Sequence, residues 1–286
     1  MKNSKDLVQD FVLQITLPES KDEIASIAQL VLEKIAGITQ TDIFLNKAVT
    51  ITPEQQSQLD KSIERINRHE PVQYILEEAD FFGRTFYVNA AVLIPRPETE
   101  YLIREITAYR QKENRPLTIV DIGTGSGCIP VTLSLELPGT KVYATDIQAD
   151  ALAVATENSK RLKASVTFQQ HDILMQKLPW KGIDVVVSNP PYIAKEEEEQ
   201  MRPNVTRYEP HIALFVPDND PLKFYRAIAI AAKEALSPGG MLIVEINERF
   251  GQEVMALFQT HRFGNVSIVK DLDGKDRIVK GILLAV

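Results

Sequence analysis

The strongest constraint on this chain is a pattern that begins at residue 117. Short β-branched runs alternate with longer amphipathic stretches. LTIVDIG (117–123), KVYATDI (141–147), SVTFQQHD (165–172), GIDVVVS (182–188) and MLIVEI (241–246) read as strands. SGCIPVTLSLEL (126–137), ADALAVATENSKRL (149–162), DPLKFYRAIAIAAKEAL (220–236) and ERFGQEVMALFQT (248–260) read as helices. Strands separated by helices pair in parallel and are covered on both faces. The two closing runs, NVSIVKD and DRIVKGILLAV, are joined only by LDGK, which is too short for a crossover, so they pair antiparallel. The expected fold is α/β, a doubly wound, mostly parallel seven-stranded sheet.

Residues 1–71 differ in kind and predict a small helical domain. DEIASIAQLVLEKIAG (22–37) has an apolar stripe at helical spacing and Gly37 as its stop. TPEQQSQLDKSIERINRHE (52–70) opens with Thr52 as N-cap and Pro53 at the first helical position. Residues 72–97 are rich in aromatic and β-branched side chains and predict a β-hairpin linker. The third domain is then 98–286, starting with a helix near Thr99 to Gln111.

Composition narrows the function classes. No run of about 18 apolar residues exists, and MKNSKDLVQD lacks the apolar stretch of a signal peptide. One cysteine cannot form an internal disulfide, which points to the cytoplasm. With four scattered histidines and no HxxxH or CxxC spacing, no metal site is expected. A net charge of −7, from 32 basic and 39 acidic residues, argues mildly against gripping duplex DNA.

Three segments carry chemistry, each at the carboxyl end of a predicted strand. DIGTGSG (121–127) places glycines 123, 125 and 127 between a strand and a helix, where backbone N–H groups and the helix dipole favour an anionic group. The spacing is GxGxG, not the full dinucleotide fingerprint, and a purely structural turn is a competing reading. Asp146 ends the next strand and can accept both hydroxyls of a ribose. Asp172 follows the third strand, either accepting from an adenine amino group or capping the next turn. SNPPYI (188–193) interrupts a core strand with Asn189, two stiff prolines, Pro190 and Pro191, and the aromatic ring of Tyr192. The Asn189 side-chain oxygen and the Pro190 carbonyl can accept both N–H bonds of a planar –NH₂ group, with Tyr192 either lying flat on it or placing its face near a cation. Such acceptors favour the transition state in which the nitrogen develops positive charge.

These features together resemble class I S-adenosylmethionine-dependent methyltransferases acting on amide or amino nitrogen. EPVQYI (70–75), FFGRTFYV (81–88), VLIPRPETE (92–100), DIGTGSGCI (121–129), SNPPYI (188–193), EPHIAL (209–214) and DLDGKDR (271–277) narrow the resemblance to the PrmC/HemK family of release factor glutamine methyltransferases. The resemblance implies a Rossmann-like methyltransferase domain, a helical substrate-recognition domain, and methyl transfer from S-adenosyl-L-methionine to the amide nitrogen of the glutamine in the GGQ motif of peptide chain release factors. It assigns the cofactor to Gly123, Thr124, Gly125, Ser126, Gly127, Asp146, Asp172, Ile173 and Asn189. Ile173 stands where the family often has an aromatic residue near the adenine. Asn189, Pro190, Pro191 and Tyr192 hold the glutamine, with Asn189, Pro190 and Tyr192 as the catalytic set. The partner is a protein; neither stable nucleic-acid binding nor membrane attachment is expected. Two rivals remain: an adenine-N6 DNA methyltransferase, which needs a basic DNA-reading surface, and a nucleotide-sensing module without catalysis, which needs no NPPY.

Overall fold

A computed structural model describes residues 2–285. The chain forms two compact units: residues up to Glu78 together with Arg202–Tyr208, and Ala79–Met201 together with residues from Glu209 onward. Among the described residues no helix is long and apolar enough to cross a membrane.

The smaller unit is helical. Its helices are Ser4–Leu13, Lys21–Ala36, Gln40–Phe44, Pro53–Asn67 and Val72–Leu76, with Pro203–Tyr208 added from far along the chain. Local chemistry sets the ends. Gly37 takes φ 69° and closes Lys21–Ala36, and Thr52 and Gln55 cap each other reciprocally at the start of Pro53–Asn67. Leu7, Phe11, Ala28, Val31, Leu32, Leu59 and Ile66 form the core.

The larger unit is built on seven strands: β1 (Thr118–Ile122), β2 (Lys141–Asp146), β3 (Val166–Gln170), β4 (Ile183–Ser188), β5 (Leu236–Glu245), β6 (Phe263–Lys270) and β7 (Asp276–Leu283). Their order is β6-β7-β5-β4-β1-β2-β3. The pairs β5–β4, β4–β1, β1–β2 and β2–β3 are parallel, and β7 runs antiparallel to both β5 and β6. Alternate residues of the central strands feed opposite cores. Val120, Val186, Leu242 and Val244 pack under the helices Lys223–Ala235 and Gly251–Thr260. Ile119, Val185, Val187 and Ile243 pack under Glu100–Glu113 and Cys128–Glu136. Burial on both faces is why these strands read as continuous apolar runs.

The segment 72–97 departs from a single hairpin. Val72–Leu76 is a short helix whose Val72, Ile75 and Leu76 pack against the smaller unit's core, with Tyr74 also buried. Glu77, at φ 56°, ends it. Only Glu78–Phe81 and Arg84–Tyr87 pair, around Phe82 and Gly83, both with positive φ. That is the two-residue turn whose twist suits a hairpin. Phe81 and Phe86 are buried in the larger unit's core. EEEE (196–199) lies in a 3₁₀ turn, Lys195–Gln200.

Candidate active site

The glycine loop leaves β1 and is latched to the end of β2. Gly123 and Thr124 donate their N–H groups to the Thr145 carbonyl, both at 2.9 Å. Gly125 N–H donates to Asp146 Oδ2 at 2.9 Å, and Gln148 N–H to Asp146 Oδ1 at 2.9 Å. The three glycines take φ of 72°, 53° and 79°. A Cβ at Gly123 or Gly125 would enter open space, so those two positions leave the loop backbone bare to a ligand. At Gly127 a Cβ would lie 2.9 Å from that of Ala155, so this glycine serves helix packing.

A cavity of about 320 Å³ opens at the carboxyl ends of the strands. Gly123, Gly125, Asp146, Asp172, Ile173, Asn189, Pro190 and Pro191 all line it, together with Phe224, Ile212 and Ala213. A mostly apolar wall with a few convergent polar groups is the usual form of a small-molecule site. Burial pushes the Asp146 carboxyl above its ordinary value, against the lowering by its backbone N–H donors. Asp172 Oδ1 accepts from Leu174 N–H at 2.9 Å, so the residue caps the following turn while also lining the cavity. Deeper in, Asp121 is fully buried, and neither carboxylate oxygen has an aligned hydrogen-bond partner. Burial drives its carboxyl up to about 7, opposed by the nearby Thr124 hydroxyl and reinforced by the Asp146 charge.

Asn189 is held from the β5 side. Val244 pairs with Ser188, so the next residues along, Glu245 and Asn189, are brought together. Asn189 Nδ2 donates to Thr99 Oγ1 at 3.1 Å. Thr99 Oγ1 donates to Glu245 Oε2 at 2.6 Å, and the Tyr192 hydroxyl donates to Glu245 Oε1 at 3.0 Å. Glu245 is buried, which raises its carboxyl; the Thr99 and Tyr192 hydroxyls oppose that rise.

Four of the residues singled out from the sequence lie off the cavity wall. Tyr192 does not line the cavity: its ring packs against the core and its hydroxyl is taken by Glu245. Burial raises the Tyr192 phenol well above its usual value. Tyr192 also borders a separate polar recess with Glu197, Asn247 and Arg277. Thr124, Ser126 and Gly127 also lie off the cavity wall. Thr124 and Ser126 are buried, and the Ser126 carbonyl accepts from Asn158 Nδ2 at 2.8 Å. Thr124, Ser126 and Gly127 are buried, whereas Gly123 and Gly125 line the cavity.

Sequence reasoning gave Thr99, Glu245 and Glu209 no role. Glu209 is buried, accepts from Ile94 N–H at 3.1 Å and pairs with Arg96, tying IPRP to the EPHIAL segment. The available signal for Glu245 was an acid inside the apolar run MLIVEI, since a buried charge in a core strand needs dedicated partners.

The sheet order, the reversed β7, and a glycine loop facing an acid across the strand ends define a class I S-adenosylmethionine-dependent methyltransferase fold. A methyltransferase from Pyrococcus furiosus shares it at a TM-score of 0.52 and 15% identity, covering 82% of this chain and 100% of that one. Residues 98–206 match the methyltransferase small domain, and residues 16–76 the PrmC N-terminal domain. The release factor glutamine methyltransferase of Bacteroides thetaiotaomicron is 41% identical over 259 residues, 90% of this chain and 92% of that protein. That of Flavobacterium psychrophilum is 38% identical, over 96% of this chain and 98% of its own length. The chain belongs to the release factor glutamine methyltransferase family.

Proposed function

We propose that this protein methylates the side-chain amide nitrogen of the glutamine in the GGQ motif of peptide chain release factors, in the cytoplasm. The observation that carries the reading is the engagement of Asn189. Its Nδ2 is committed to Thr99, which leaves Oδ1 as the acceptor at a cavity walled by the glycine loop and Asp146. Gly123, Gly125, Asp146, Asp172 and Ile173 hold the cofactor, and S-adenosylmethionine bound there supplies a methyl group on a sulfonium. Thr124, Ser126 and Gly127 set the loop's course. Asn189 Oδ1 and the Pro190 carbonyl accept the two N–H bonds of the glutamine amide, and Pro190 and Pro191 keep both acceptors in place. These bonds strengthen as positive charge grows on the nitrogen, so they act on the transition state. The alkylated nitrogen is acidic and gives up its proton without a dedicated strong base. Tyr192 supports the loop from behind. The helical unit contacts the protein substrate.

The test is transfer of a labelled methyl group to intact release factor, with duplex DNA as the competing acceptor. Label is expected on the release factor glutamine alone. Asn189→Ala is expected to lower the single-turnover rate by on the order of 10²–10³ while leaving cofactor affinity largely intact. Label on DNA adenine, or a normal rate for Asn189→Ala, overturns the proposal.

A further inference from the structure

We infer that Glu245 and Thr99 are positioning residues that fix which end of the Asn189 amide faces the methyl acceptor. The inference rests on the proposed role of Asn189 and adds a cause for its orientation.

The argument is one of donor and acceptor counting. An asparagine amide has nearly the same shape when turned end for end, but one face donates and the other accepts. A site that must accept N–H bonds from a substrate amide fails if the asparagine presents its NH₂. Packing alone does not discriminate the two orientations; a hydrogen-bond chain of fixed polarity does. Here the chain starts at Glu245, whose two carboxylate oxygens take hydroxyl protons from Thr99 and Tyr192. Thr99 has a single hydroxyl proton, and Glu245 uses it. The Thr99 oxygen is left only its lone pairs, so it accepts from Asn189, and the group that reaches it at 3.1 Å is Nδ2. Oδ1 is thereby turned to the other side. The polarity of the whole chain is set by one acceptor-only group at its end.

The structure makes this end a committed one. Glu245 is 1% exposed, so water does not compete for its oxygens. It sits on β5, the strand hydrogen-bonded to β4, from which Asn189 emerges. Thr99 ends the 3₁₀ turn Pro97–Thr99 and is 2% exposed. Three separate segments of sequence, PET, NPPY and the end of MLIVEI, thus meet in one chain of bonds. The Tyr192 hydroxyl on the second oxygen anchors the same loop from its far side.

Three variants test this. Thr99→Val keeps the volume and removes the relay. Thr99→Ser keeps the hydroxyl. Glu245→Gln keeps the shape but supplies an NH₂ that donates to Thr99 and lets the chain run backwards. Outer partners that orient a functional group are typically worth about 10–100-fold, so Thr99→Val and Glu245→Gln are expected to lower kcat by that factor, with Thr99→Ser within about threefold of the parent. Cofactor affinity by calorimetry is expected to stay unchanged in all three, which separates orientation from unfolding. A readout independent of turnover is the side-chain NH₂ resonance of Asn189 in ¹⁵N-labelled protein, identified by its loss in Asn189→Ala. It is expected to exchange slowly with solvent in the parent and in Thr99→Ser, and quickly in Thr99→Val. Equal kcat and equal exchange in Thr99→Val and Thr99→Ser overturn the inference. Absence of methyl transfer by the parent protein would instead overturn the proposed function, and the exchange measurement would still decide the orientation.

Discussion

Asp121 is the residue whose environment is hardest on its chemistry. It is buried without an aligned partner, and its carboxyl is raised to about 7 from an ordinary 3.8. A folded-state value above the unfolded one means that the folded protein holds the proton more tightly. The stability contributed by that proton is complete below 3.8 and is lost as the pH rises through about 7. Chemical denaturation of the cofactor-free protein is therefore expected to give a lower unfolding free energy at about pH 8 than at about pH 5. Asp121→Asn, which keeps the shape and has no proton to lose, is expected to flatten that slope. A slope unchanged in Asp121→Asn assigns the pH dependence elsewhere. At this scale the sequence was most informative where the signal is local: Gly123, Gly125, Asp146 and Asn189 stand at strand ends and line the cavity. Thr99 and Glu245 escaped it because their bond spans 146 residues, and nothing near either one announces the other.

Among the elements, the turn from β1 into Cys128–Glu136 shows how a motif divides its labour. Gly123 and Gly125 face open space, whereas Gly127, the N-cap, presses on Ala155 of the helix Ala149–Arg161. Gly127→Ala is expected to destabilise by about 2–4 kcal/mol, from the left-handed backbone and the 2.9 Å approach together. Adding Ala155→Gly is expected to return part of that loss, because the closest atom is the Ala155 Cβ. Urea denaturation of the two variants measures both effects; wild-type stability in Gly127→Ala would remove the packing role. Strands were the easiest elements to read, since β1, β4 and residues 241–245 of β5 are buried almost throughout and are dominated by Val, Ile and Leu. Val72–Leu76 was misread for the converse reason. VQYIL has the composition of a strand, but Pro71 and the apolar neighbours of the helical unit make it a turn of helix.

On the scale of the whole molecule, the two units carry different parts of the proposed activity. The cavity and the Asn189 chain lie wholly within the larger one. A chain beginning at Ala79 is expected to keep its cofactor affinity, by calorimetry, while methylation of intact release factor falls by at least about tenfold, the order lost when a supporting contact is removed. Methylation at the full-length rate would give the helical unit another purpose. Such a shortened protein also strands Arg202–Tyr208. In the full chain Arg202 pairs with Glu23 at 2.8 Å, and the Tyr208 hydroxyl donates to the Arg68 carbonyl at 2.8 Å. The helical unit is therefore not finished by the stretch of sequence that opens the protein. During translation the first 78 residues leave the ribosome early, yet their last helix is not synthesised until residue 208. The nascent chain must carry an incomplete first unit while most of the second is being made, so neither unit is complete before the other is largely present.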